Sequence, residues 1–187
     1  MGPKGANENL GVAYCRLHRY PEALPYLREA LRYIEAINKR GAHTPQFLSC
    51  LQQVRAELGE VLLRLNQSDE GLQVLREAAK AADELAARDP ANAGFTQIQI
   101  EVAWRSAGGL AAWANHPSAS PADRRIRLEQ SQTHLDRAHT LLAGLTSESL
   151  RNFLRNDMKP AERDVAEIRS KILQETAPSE TQEVSPH

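Results

Sequence analysis

Apolar residues recur at intervals of three and four along most of the chain. Phe47, Leu51, Val54, Leu58, Val61 and Leu65 form one such stripe, and Leu24, Leu27, Leu31 and Ile34 form another. That period puts each set on one face of an α-helix and predicts helices of about 20 residues. Strand-favouring runs of Val, Ile, Thr and Tyr are absent. Punctuation divides the stripes. Tyr20-Pro21 opens a second helix with proline in the first turn, where no N–H is needed. Thr44 stands as N-cap before Pro45, and Asp89-Pro90-Ala91-Asn92 closes one helical pair and begins the next. Ser120-Pro121-Ala122-Asp123 sets an N-cap serine three residues before an acid, close to a capping box. Pro25 conflicts with this scheme, since a turn inside the second helix it removes one backbone bond. It reads as tolerated near the helix start rather than as a break.

The stripes repeat. Leu10-Gly11-x-x-Tyr14 is followed by Ala23, Leu27 and Ala30. Leu58-Gly59-x-x-Leu62 is followed at identical gaps by Gly71, Leu75 and Ala78, with an offset of 48 in the numbering. A third copy reads Trp104-x-x-Ala107-Gly108-x-x-Ala111, at an offset of 49, with Ser131, Leu135 and Ala138 in its second helix. That second helix arrives late: the step from Ala111 to Ser131 is 20, where the steps from Tyr14 to Ala23 and from Leu62 to Gly71 are 9. The insertion starts near Asn115 and predicts an exposed loop. The spacing has a mechanism: small residues let paired helices approach, and large ones fill the seam between stacked pairs. The core is expected at Leu10, Tyr14, Leu27, Leu58, Leu62, Leu75, Trp104 and Leu135. After Leu145 the anchors stop. Ser149 to Met158 reads as a short helix, and Pro160 starts a last one carrying Val165, Ile168 and Ile172 on one face, as a capping helix does. From Glu175 onwards Pro, Ser, Thr and Glu predict disorder.

These anchors resemble the tetratricopeptide repeat, W-x2-L-G-x2-Y, then A-x3-F, then A, over about residues 7–145. The resemblance implies an all-α superhelical stack of three long hairpins, about residues 5–40, 44–88 and 92–145. C-terminal capping helices would follow over 146–174 and a disordered tail over 175–187. The period departs from the family's usual length of about 34, and Asn7 and Arg55 replace its Trp in the first two copies. Trp104 falls on that anchor in the third and reads as core, while Trp113 reads equally as core or groove. The long period and the link Asp89-Pro90-Ala91-Asn92-Ala93 further resemble the C-terminal arrays of bacterial eukaryotic-like serine/threonine protein kinases. The insertion at Pro117 to Asp123 and the terminal helical segment fit the same comparison. The implied role is a non-catalytic, cytoplasmic part of a larger signalling protein.

In such arrays the first helices of the hairpins line a concave groove. The resemblance places Glu8, Val12, Cys15 and Arg16 there in the first copy. Gln53, Ala56, Glu60, Leu63 and Arg64 follow in the second, and Arg105, Gly109, Ala112 and Trp113 in the third. An apolar floor with a few charges and one aromatic suits a peptide or helical segment, with Arg64, Arg105 and Trp113 as main contacts. Some family members capture a chaperone's C-terminal carboxylate with Lys and Asn at the positions of Glu8 and Val12. An acid repels that ligand and valine cannot donate, which excludes the activity. The alternative function is self-association, since the outer face of the first hairpin has no preceding repeat to cover it.

Composition narrows the rest. Among 187 residues the formal charge is −1, with 25% charged, so electrostatics favour neither nucleic acid nor membrane as partner. No apolar run reaches the length of a membrane span, and Met1 to Asn9 lack a secretory apolar region. No hydrolase, nucleotide, zinc or redox motif is present, so no catalytic residue, cofactor or metal ligand is expected. His134 and His139 are five apart, on different helix faces. Gly108-Gly109 lies where the repeat needs small residues and reads as packing, not a phosphate loop. Arg151, Arg155, Lys159 and Arg163 read as solvated charges. Cys15 and Cys50 read as buried, reduced thiols, with a disulfide between them as the alternative.

Overall fold

The computed structural model describes residues 3–41 and 44–176. These form seven helices and no strand: α1 (Pro3–Arg16), α2 (Tyr20–Asn38), α3 (Pro45–Arg64), α4 (Ser68–Arg88), α5 (Ala93–Ala114), α6 (Pro121–Gly144) and α7 (Glu148–Thr176). The caps follow the sequence. Thr44 accepts from the Phe47 N–H at 3.3 Å and Asn92 from that of Gly94 at 3.1 Å. Ser120 accepts from the Asp123 N–H at 3.1 Å and donates to its carboxylate at 2.7 Å. Each satisfies an N–H that a helix start leaves open. Pro25 is carried inside α2 without a break.

The repeat extends to backbone geometry. His18 and Asn66 occupy the same place in the first two copies, and both adopt positive φ, 55° and 60°. The next N–H returns in each case to a carbonyl five residues back, Arg19 to Tyr14 at 2.9 Å and Gln67 to Leu62 at 2.8 Å. This closure satisfies a carbonyl of the last turn, as left-handed C-terminal motifs do. It sets α2 against α1 and α4 against α3 as antiparallel pairs.

Each odd-numbered helix then packs on the next odd one and on the even helix between them. Glu57 of α3 meets Arg105 of α5, and Asn66 at the end of α3 meets Trp113, so α3 and α5 run parallel. α7 continues the series parallel to α5, with Ala161 beside Gly108 and Glu167 bonded to Asn115. α1 is the exception, packing broadly on α2 and only narrowly on α3.

Packing corrects several expectations. Leu110 shares a cluster with Leu75, as Leu62 does with Leu27, and both pairs imply a period of 48, not 49, for the third copy. Ala107 therefore takes the place of Gly59. Ser131 donates to the Ala107 carbonyl at 2.6 Å, while a Cβ on Gly59 would come within 3.2 Å of the Gly71 carbonyl. Trp104 is buried as expected, but one position past the anchor, in the cluster that joins α5, α6 and α7. Leu27, Leu58, Leu62, Leu75 and Leu135 are buried, and Tyr14 is half-buried, stacked on Tyr26. Leu10 is not core; it is 44% exposed, because nothing described lies against that side of α1.

The C-terminal segment is one helix rather than two. Pro160 lies inside α7, and Leu154, Met158, Ala161, Val165 and Ile168 form an unbroken buried stripe across it. Pro160 and Asn156 are both exposed, so the carbonyl that loses its N–H partner faces water. The insertion is also mostly helical: only residues 115–120 form a loop, and the remainder lengthens α6 at its start. Ala119 of that loop is buried. Cys15 and Cys50 form no disulfide, and each is half-buried. Residues 177–187, most of the tail read as disordered, lie outside the described residues.

Candidate binding face on the odd-numbered helices

Because α3, α5 and α7 run parallel, their charged positions come into register. Arg105 of α5 donates to Glu57 at 2.8 Å and to Glu60 at 3.1 Å, both on α3. Glu60 accepts in turn from Arg64 at 3.0 Å, and Arg64 reaches Asp164 of α7 at 2.6 Å. The result is a chain of alternating charge through three helices. Its side chains are mostly out of solvent, with Arg105 at 15%, Arg64 at 12% and Glu57 at 3% exposure. Both guanidiniums also lie over rings, Arg105 at 4.4 Å from the Trp104 centroid and Arg64 at 5.0 Å from that of Tyr20.

Two glycines make this register possible. A Cβ on Gly109 would fall 3.0 Å from Leu63 and 3.2 Å from the Glu60 Cα, and one on Gly108 would fall 3.3 Å from Ala161. Each lets α5 approach one neighbour, α3 and α7 respectively. That extends the packing role read for the pair.

The electrostatics follow from burial against pairing. Burial works to lower the Arg64 pKa, but Glu60 and Asp164 outweigh it and hold the guanidinium above its ordinary value. Arg105 follows the same balance against Glu57, Glu60 and Glu101. Glu101 lies at the edge of the chain, and burial raises its carboxyl above 4.5, against the pull of Arg105 and a bond from Gln97. Its Oε2 has no hydrogen-bond partner among the described residues. Cys15 is also drawn in. Burial, with Glu60 and Glu57 beside it, pushes its thiol up to about 12, which makes it an inert thiol.

The expected groove residues therefore divide. Glu60, Arg64 and Arg105 come together, but they bind one another. Ala56, Leu63 and Gly109 are buried between helices, Ala56 and Leu63 against α4 and α5 and Gly109 against α3. Trp113 lies at the end of α5. Its indole N–H donates to Asn66 at 3.1 Å, and Arg127 of α6 covers its ring at 3.5 Å. Val12 and Gln53 are half-buried and Arg16 is exposed. Glu8 falls in α1, and its side chain lies outside the described residues.

Sequence reasoning missed the recess beside this chain of charges. A cavity of about 260 Å³ opens near the C-terminal ends of α3 and α5 against the middle of α7. Ala111, Ala112 and Ile168 line it with apolar surface, and Arg64, Asn115, His116, Asp164 and Glu167 supply polar groups. Asn115 ties its rim to α7 through Glu167 at 3.1 Å and Lys171 at 2.6 Å. Arg64 and Ala112 were the signals for it, since both lie on the expected face.

Among the described residues no group of three or more His, Cys, Asp or Glu side chains could hold a metal ion. No described helix is long and apolar enough to cross a membrane. No family model matches the chain, and neither a curated protein nor a solved structure does.

Proposed function

We propose that the chain is a non-catalytic protein–protein interaction scaffold. Its hairpins form a tetratricopeptide-type superhelical stack, and a peptide or helical segment binds along the odd-numbered helices. The recess at Ala112 carries this reading. It joins a small apolar floor to convergent polar groups, the composition of a docking pocket. Asp164 and Glu167 are paired with Arg64 and Lys171, so the wall carries no net charge and favours a segment led by an apolar anchor. Arg64 and Arg105 act here as framework, holding the wall in place, and Trp113 is held outside the lining by Asn66 and Arg127. The long period and the Asp89-Pro90-Ala91-Asn92-Ala93 link support a place within a larger bacterial signalling protein of the cytoplasm, associated with a kinase.

Panning a random peptide library against the chain tests this. Enriched peptides should share an apolar anchor residue. Their affinity should fall at least about tenfold on Ala112→Trp, which fills the recess, and stay unchanged on Arg76→Glu, an exposed position on α4. Peptides indifferent to Ala112→Trp but lost on Arg76→Glu would move the binding face to the even helices.

A further inference from the structure

The loop between α5 and α6 brings one histidine to the recess with a single polar atom to spare. His116 lines the cavity and is half-buried. Its backbone N–H donates to the Trp113 carbonyl at 3.2 Å, and its own carbonyl accepts from the Ala119 N–H at 2.9 Å. Ala119 is buried, which pins the loop at that point. The ring's Nδ1 lies 2.8 Å from the Ser118 hydroxyl and accepts from the Ser118 backbone N–H at 3.3 Å. A backbone N–H can only donate, so Nδ1 carries no hydrogen and the ring's one hydrogen is on Nε2. That Nε2–H has no hydrogen-bond partner among the described residues.

The charged groups around it are already matched. Arg64 pairs with Glu60 and Asp164, and Glu167 with Lys171, while Asn115 bonds to both members of that second pair. The recess therefore joins the apolar floor of Ala111, Ala112 and Ile168 to one neutral donor. Such a donor selects a neutral acceptor. A carboxylate would bring in a charge that none of these paired side chains is free to balance. The neutral acceptor that always accompanies an apolar side chain is the backbone carbonyl next to it. Inside a helix that carbonyl is taken by the N–H four residues on. In an extended segment it is open.

We propose that the recess binds an extended segment, with an apolar side chain on the Ala112 floor and the adjacent backbone carbonyl accepting from His116 Nε2–H. The proposal rests on the recess being the binding site and narrows what that site takes, since the middle of a helix offers no open carbonyl. His116 is then a specificity-determining residue. Its donor is set by Ser118 before any partner arrives, so little ordering is left to the binding step.

An NMR titration of the isotope-labelled chain with the capped tripeptide acetyl-Ala-Leu-Ala-amide, up to about 20 mM, tests this. The free chain should show the His116 hydrogen on Nε2, and the peptide should shift that nitrogen together with the amides of Ala111 and Ala112. His116→Phe keeps a ring without the donor and should weaken binding about two- to tenfold, the worth of one neutral hydrogen bond. His116→Gln supplies an amide N–H in place of Nε2–H and should restore most of the loss. A lactam-locked helical peptide with leucine in its middle turn should leave these signals unmoved. Ala112→Trp should abolish tripeptide binding. If Ala112→Trp abolishes it but His116→Phe binds as the wild type does, the recess stands as the site and the carbonyl contact is overturned. Equal binding of the locked helix, or a hydrogen found on Nδ1, overturns that contact too. No shift at the highest concentration, or binding indifferent to Ala112→Trp, overturns the recess and the contact together.

Discussion

Arg105 shows how far a residue's role depends on what lies across from it. Helical periodicity places it on the odd-helix face, yet it cannot say that Glu57 and Glu60, far back in the chain, take both of its Nη groups. A guanidinium so committed stabilises the fold instead of meeting a partner. Arg105→Ala would take from the buried Glu57 the counter-charge that Arg105 supplies and should cost about 3–5 kcal/mol in urea denaturation. A loss under about 0.5 kcal/mol, the range of surface substitutions, would mean the pair is solvated. Leu58→Ala, at 2% exposure, should cost about 2–5 kcal/mol, while Leu10→Ala at 44% should cost well under half as much. Glu101 gives a signature in pH. Its folded pKa lies above 4.5, so its contribution is complete below that value and is lost as pH rises through the folded pKa. Glu101→Gln should therefore raise the melting temperature at pH 7 and leave it nearly unchanged at pH 4. The opposite order would mean the carboxylate is stabilised, not strained.

At the scale of elements, what was legible in the sequence was local. Thr44, Asn92 and Ser120 cap their helices through atoms two or three residues away, so short-range rules suffice. The third repeat's register was harder. Ala107, Gly108 and Gly109 offer three small residues in a row, and only the partners, Ser131 and Leu75, choose among them. Trp104 stands one position past the equivalent of Arg55, which favours the longer offset on sequence alone. Pro160 misled for a different reason: a local penalty was outweighed by a buried stripe that keeps its phase on both sides. Because the lost hydrogen bond is on the solvent side, Pro160→Ala should stabilise α7 by up to about 3 kcal/mol. A destabilised variant would mean that α7 needs a break there. Limited proteolysis should cut first within 115–120 and spare 121–127, which the insertion adds to α6 as helix.

Across the whole molecule, α3, α5 and α7 are joined by charge as well as by packing. Arg64 and Asp164 are remote in sequence, yet they close the chain of ion pairs from α5 through α3 to α7. Nothing in the sequence links these two, since salt bridges between distant helices carry no periodic signal. Arg64 and Asp164 also line the recess at Ala112, so the proposed binding face includes this contact. A double-mutant cycle on Arg64→Ala and Asp164→Ala, read by urea denaturation, tests that contact directly. A coupling energy of about 1–3 kcal/mol is expected for a partly buried pair in one network. Additive effects, with coupling below about 0.3 kcal/mol, would contradict the joining of α3 to α7.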